Sequence, residues 1–113
     1  MKKPVLDWKS IADCRLSVPR RVIHRRFAAE TVLLNVETGR YYGMDEIGAR
    51  FFEVLGECSD IRSAVETLCK EFEVPPARIQ EDMVSFCAEL LSLGLIELHS
   101  LAEVSGDRRN SGP

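Results

Sequence analysis

The chain has 113 residues, the length of one small domain, and its 45% hydrophobic and 29% charged residues are typical of a globular fold. No apolar run reaches the roughly 20 residues that a membrane-spanning helix needs, and no apolar segment follows the basic N-terminal residues as a secretory signal requires. We therefore expect a soluble cytoplasmic domain with no membrane partner.

The net charge of −3 hides an uneven distribution of charge along the chain. Residues 1–26 carry eight Lys or Arg against two Asp, whereas residues 27–104 carry five Lys or Arg against fifteen Asp or Glu. Because phosphate neutralisation dominates nucleic-acid affinity, the acidic body is a poor surface for a DNA duplex, and we expect no nucleic-acid partner. The basic start either pairs with this body, which we favour, or contacts RNA.

The cysteines and histidines form no metal-binding or catalytic pattern. The four cysteines are separated by 44, 11 and 18 residues, and the two histidines stand at no ligand spacing. The sequence also contains no glycine-rich phosphate loop, no zinc-protease motif and no serine in a nucleophile elbow. We expect no metal, no cofactor and no catalytic activity.

In chain order, the first predicted elements form a small antiparallel sheet. Residues 1–19 are expected to be a weakly structured lead-in that ends at Pro19, in which Trp8 either anchors the arm to the domain or lies loose. Strands are predicted over residues 20–27, 31–36 and 40–44, and Gly39 suits the turn between the last two. The third strand is short, aromatic and interrupted by Gly43, which is typical of an edge strand.

Three helices are predicted after the sheet, over residues 46–55, 61–72 and 76–93. Asp45 is a good N-cap for the first helix, Ser59 or Asp60 caps the second, and Pro76 suits the first turn of the third. Residues 95–98 form a short final apolar segment. This order indicates an α+β, winged-helix-like fold in which helices cover a three-stranded antiparallel sheet. The domain is expected over residues 15–98, between a weakly structured arm (1–14) and a flexible tail (99–113).

The third predicted helix has a wider apolar surface than one packing face needs. One interpretation is a central core helix. The other is the wall of a peptide groove, in which Met83 and Phe86 are partly exposed. An edge strand beside this helix offers free backbone groups to an extended peptide. The residues alone leave both interpretations open.

A resemblance to a known family is carried by residues 33–52, which read LLNVETGRYYGMDEIGARFF. This segment resembles the PqqD family, small recognition domains of pathways that make ribosomally synthesised, modified peptides. The resemblance continues through residues 71–75, 82–86 and 93–96 and covers roughly residues 15–98. The LNVETGRYY run is closer to the lasso-peptide branch than to the quinone-cofactor branch. Pro75 stands where the family often has an acidic residue.

The resemblance implies that the leader region of a precursor peptide adds as an antiparallel strand to the third strand, opposite the third helix. The peptide-binding residues that it implies are Arg40, Tyr41, Tyr42, Gly43, Met44, Ile79, Asp82, Met83, Phe86, Cys87 and Leu90. The domain itself would be non-catalytic and would deliver the leader to a maturation enzyme. In lasso pathways this partner is a transglutaminase-like leader protease, and in other pathways it is a radical SAM enzyme.

Three alternative functions remain open from the sequence. They are a peptide chaperone for a radical SAM enzyme, a winged-helix transcription regulator and a purely structural subunit. The regulator is the least favoured of these, because its recognition helix should be basic. Here the third helix has Arg78 against three carboxylates.

Overall fold

The computed structural model of the chain describes residues 6–28 and 30–100. Its helices are α1 (Trp8–Ile11), α2 (Glu46–Glu57), α3 (Ile61–Phe72) and α4 (Pro76–Ser92). Its strands are β1 (Cys14–Ser17), β2 (Val22–Phe27), β3 (Glu30–Asn35), β4 (Tyr41–Met44) and β5 (Glu97–Ser100). The predicted α+β, winged-helix-like fold is confirmed, since an antiparallel β2-β3-β4 sheet precedes three longer helices. In the described part of the chain, every helix is too short or too polar to cross a membrane.

The central strand β3 directs alternate side chains into the core. Thr31, Leu33 and Asn35 are buried, whereas Val32 and Leu34 are only partly covered. This alternation is the period expected of a strand with one face on the core. Because β3 pairs with β2 on one side and β4 on the other, β2 and β4 are both edge strands of this sheet. The predicted edge position of the third strand is therefore confirmed.

Asn35 holds the turn between β3 and β4, although it is a polar residue with only 2% of its surface exposed. Its Oδ1 accepts hydrogen bonds from the N–H groups of Glu37 (3.0 Å) and Thr38 (3.2 Å). Its Nδ2 donates to the carbonyl of Gly94 at 3.3 Å, just after α4. Burial of the amide is tolerated because its polar atoms are hydrogen-bonded. Gly39 adopts the left-handed conformation (φ 78°) that the turn requires.

The helix ends follow the predicted capping residues. Asp45 accepts a hydrogen bond from the Gly48 N–H at 2.9 Å, and Asp60 accepts one from the Ser63 N–H at 2.8 Å. The helix α4 begins at Pro76 without a side-chain cap. The bounds predicted for α3 are confirmed, and α2 runs two residues beyond its predicted end.

The N-terminal arm has regular structure, which corrects the expectation of a weakly structured lead-in. Asp7 and Ser10 form a capping box that begins α1. Ile11 and Ala12 are buried in the core, outside the limits of 15–98 predicted for the domain. The strand β1 then pairs antiparallel with β5, in a two-stranded sheet that the sequence did not predict.

Trp8 anchors the arm on the domain. Its side chain packs against the buried core, and the Arg62 guanidinium lies 5.9 Å from the ring centre. Arg62 also binds Asp13 at 3.1 Å. Residues 1–5 of the predicted arm and residues 101–113 of the predicted tail lie outside the described residues, while His99 and Ser100 belong to β5.

Candidate functional site

A cleft of about 540 Å³ runs along the inner side of β4 and is walled by α4, with α2 beneath it. We call it the β4–α4 cleft. From β4 it is lined by Tyr42, Gly43 and Met44, and from α4 by Asp82, Ser85, Phe86 and Glu89. The structure thus brings together the edge strand and the helix that the sequence analysis placed opposite each other.

The hydrogen-bond ladder fixes which backbone groups of β4 face the free edge. The Asn35 N–H donates to the Arg40 carbonyl at 2.8 Å, and the pairing continues in register along β4. Hydrogen-bonded and non-hydrogen-bonded pairs alternate in an antiparallel ladder. The backbone N–H and C=O groups of Tyr42 are therefore hydrogen-bonded to β3, whereas those of Tyr41 and Gly43 point away from β3. Within residues 6–28 and 30–100, no strand occupies that edge.

The two tyrosines of β4 lie on opposite faces of the sheet, as strand alternation predicts. Tyr42 is half-buried in the cleft, where its hydroxyl donates to the Glu89 carboxylate at 3.3 Å. Burial raises the pKa of the Tyr42 phenol, and the negative charge of Glu89 raises it further. Tyr41 is 68% exposed on the outer face. Of the two tyrosines, Tyr42 is therefore the one that can contact a molecule held in the cleft.

We expect the free energy of unfolding to fall as the pH rises above about 10. The pKa of Tyr42 in the folded protein is raised above its ordinary value of 10.0. The stabilisation is therefore complete below that value and is lost as the pH rises through the folded-state pKa. In a Tyr41→Phe background, tyrosinate absorbance reports Tyr42 alone, because the chain has two tyrosines. Adding Glu89→Gln should lower this pKa, and an unchanged titration would contradict the assignment.

The wide apolar surface of α4 belongs mainly to the core. Four of the six α4 residues expected at the site are buried: Ile79, Met83, Cys87 and Leu90. The prediction that Met83 is partly exposed in the groove is wrong, since none of its surface is exposed (0%). The apolar surface of α4 is wide because this helix packs against two elements, α3 and the unpredicted α1. On β4, Met44 is buried in the same core.

Phe86 and Asp82 are the α4 residues from the expected set that do reach the cleft. Phe86 is half-buried and packs edge-on against Phe51 of α2, with ring centres 5.7 Å apart. Asp82 is exposed and lies 3.6 Å from Arg78. Arg40 lies just before β4, and its guanidinium donates to the carbonyl of Ser92 at 3.4 Å.

The cleft is acidic, and the sequence analysis missed most of the residues that make it so. The acidic residues that line it are Glu30, Asp45, Asp82 and Glu89, and among residues 6–28 and 30–100 no Lys or Arg lines it. Glu89 stands three residues after Phe86, so helical spacing was a signal for its position on the same face. Glu30 reaches the cleft through the pairing of β3 with β4, for which the sequence has no local signal.

The chemistry of the cleft is that of backbone, aromatic and carboxylate groups. In the described segments, no three His, Cys, Asp or Glu residues are grouped as a metal ion would need. Burial raises the pKa of the Cys87 thiol to about 12, so this sulfur stays protonated at neutral pH. What the cleft offers is free backbone groups on one wall, aromatic surface on the other and negative charge between them.

Comparisons with known proteins agree with this fold. A solved structure of TbiB1 in complex with the TbiA(beta) leader peptide is 29% identical, and the alignment covers 71% of this chain and 93% of that chain with a TM-score of 0.66. A lasso peptide synthetase B1 complexed with the leader peptide is 17% identical, with coverage of 74% and 98% and a TM-score of 0.67. No curated protein matches the chain.

The family comparison covers the elements that build the cleft. The model of coenzyme PQQ synthesis protein D (PqqD) matches residues 30–96, which is more than half of the chain. The matched segment contains β3, β4 and the three longer helices. The chain belongs to the PqqD family.

Proposed function

We propose that this domain binds the leader region of a ribosomally synthesised precursor peptide and delivers it, without catalysing a reaction, to a maturation enzyme. The observation that carries the proposal is the edge strand β4, whose outward backbone groups lie beside the β4–α4 cleft. TbiB1 is bound to a leader peptide in its structure, which supports the proposal. The pathway is of the lasso type, as the LNVETGRYY run implies, and the partner is its leader protease rather than a radical SAM enzyme.

The leader adds to β4 as an antiparallel strand. Its backbone pairs with the outward groups of Tyr41 and Gly43, and every second side chain enters the cleft. Two or three apolar leader side chains against Tyr42 and Phe86 contribute about 1.5–3 kcal/mol each before the ordering of the leader is subtracted. The acidic lining favours a leader that carries Lys or Arg opposite the cleft.

A direct binding measurement tests the proposal. Fluorescence anisotropy with a labelled TbiA(beta) leader, and with the leader of a precursor encoded beside this chain, should show saturable binding with a Kd at or below about 1 μM for the cognate leader. A peptide of the same composition in scrambled order is the control, because it keeps the charge and loses the pattern. Equal affinity for the scrambled peptide, or no saturation with either leader, would contradict the proposal.

The purified domain should leave its precursor chemically unchanged. This expectation follows from a cleft in which backbone and aromatic groups predominate, and in which the raised pKa of Tyr42 keeps its hydroxyl protonated beside Glu89. Mass spectrometry of the precursor after incubation, compared with a buffer control, measures it. Cleavage or a mass shift in the absence of any partner enzyme would show that the domain is an enzyme.

A further inference from the structure

A second cleft lies on the other side of α2, beside β2, and at about 670 Å³ it is larger than the β4–α4 cleft. We call it the β2 cleft. Its walls are β1, the inward side chains of β2 and one side of α2. Leu16, Val18 and Phe52 give it an apolar floor. Its volume lies within the range of clefts that hold ligands.

The charge of the residues that line the β2 cleft is opposite in sign to that of the β4–α4 cleft. The lining of the β2 cleft, as far as the structure describes the chain, has Arg15 and Arg26, two histidines and one carboxylate, Glu53. That carboxylate is bound by Arg50 at 2.8 Å and lies 3.9 Å from Arg26, so an incoming carboxylate would compete with it only for the longer of these two ion pairs. Among the residues that the structure describes, the lining of the β4–α4 cleft has four acidic residues and no Lys or Arg. The lining charges of the two clefts therefore differ in sign, and each lining favours a segment of the opposite charge.

The free edge of β2 runs along this cleft. The Val36 N–H donates to the Arg21 carbonyl at 2.8 Å, and the β2–β3 pairing continues in register from there. By the alternation of an antiparallel ladder, the backbone N–H and C=O groups of His24 and Arg26 point away from β3. The side chains of the same two residues line the cleft. In the part of the chain that the structure describes, no strand pairs with this edge.

We propose that the β2 cleft is a second docking site, which takes an extended acidic segment of the maturation enzyme by strand addition to β2. The identity of the enzyme as the source of the segment rests on the proposed function. The inward side chains of the added strand alternate between apolar residues, which cover Leu16 and Phe52, and carboxylates, which bind Arg15 and Arg26. The domain then holds the leader at one edge of its sheet and the enzyme at the other.

The probe that tests this is the peptide acetyl-Leu-Thr-Glu-Thr-Leu-Thr-Glu-amide, whose Leu and Glu share one face of a strand. Titrated into the ¹⁵N-labelled full chain, it should shift amide signals of β1, β2 and α2 in a saturable way. The same peptide with Lys for Glu should leave those signals in place. Shifts confined to β4 and α4, or equal binding of the Lys peptide, would overturn the proposal.

Charge reversal supplies the matched comparison. The Arg15→Glu/Arg26→Glu variant should bind the Glu peptide at least about tenfold more weakly. The Lys9→Glu/Lys70→Glu variant has the same net charge and alters no lining residue of either large cleft, so it should bind normally. Equal affinity of the two variants would contradict docking in the β2 cleft.

Two further measurements separate the possible failures. The Arg15→Glu/Arg26→Glu variant should bind the labelled leader like the unaltered chain, because leader binding uses the other edge. If the unaltered chain binds no leader, the proposed function fails while the Glu peptide still decides the β2 cleft. Sedimentation should show a monomer, and a dimer that the charge reversal dissociates would assign the cleft to a second copy instead.

Discussion

Met83→Ala should lower the free energy of unfolding by about 2–5 kcal/mol, the range for truncating a large apolar side chain in a core. Met83 has 0% of its surface exposed, so the substitution leaves a cavity where α4 meets the core. Urea denaturation measures the loss, and leader anisotropy should show normal affinity for the protein that remains folded.

Met83→Leu is the control for this prediction, because it conserves volume and should destabilise the protein by less than about 1.5 kcal/mol. If Met83→Ala kept its stability and bound the leader weakly, Met83 would lie in the groove, as helical spacing alone had indicated.

Gly43→Pro should weaken leader binding by about tenfold while the β3–β4 ladder stays intact. Proline removes the backbone N–H, and at Gly43 this group points to the free edge rather than to β3. The loss of one intermolecular hydrogen bond, about 0.5–1.5 kcal/mol, corresponds to about tenfold in Kd at its upper end. Anisotropy of the labelled leader measures the affinity, and a thermal melt checks the fold.

Gly43→Ala separates the loss of the N–H from the addition of a side chain. A Cβ at this position would meet no atom within 4 Å, so the variant should fold and bind normally. Normal binding by Gly43→Pro would show that the leader does not pair with this edge. Equal losses in both variants would point to a steric effect on the outer face.

The sequence predicted the elements whose signals are local. The capping residues Asp45 and Asp60 and the alternation of β3 each operate within a few residues of the chain. The β1–β5 sheet pairs Cys14 with Ser100. Each of its strands has only four residues, as β4 does, but β4 follows β3 through a recognisable turn, whereas β1 and β5 pair across almost the whole chain.

The difference between local and long-range signals also explains which parts of the site were predicted. The edge position of β4 follows from strand order, and Gly43 is visible in the sequence. Met83 and Leu90 are buried on a helix that contacts both α3 and α1, and α1 comes from a distant part of the chain. Helical periodicity shows which residues share a face, but it does not show whether a remote segment covers that face.

The turn before β4 and the end of α4 are tied together by two hydrogen bonds. Asn35 donates to the carbonyl of Gly94, and Arg40 donates to that of Ser92. The two walls of the β4–α4 cleft are therefore connected at one end, and these hydrogen bonds fix the spacing between them. In a cleft whose walls are held at this spacing, most of the conformational entropy lost on association would be that of the peptide that enters it.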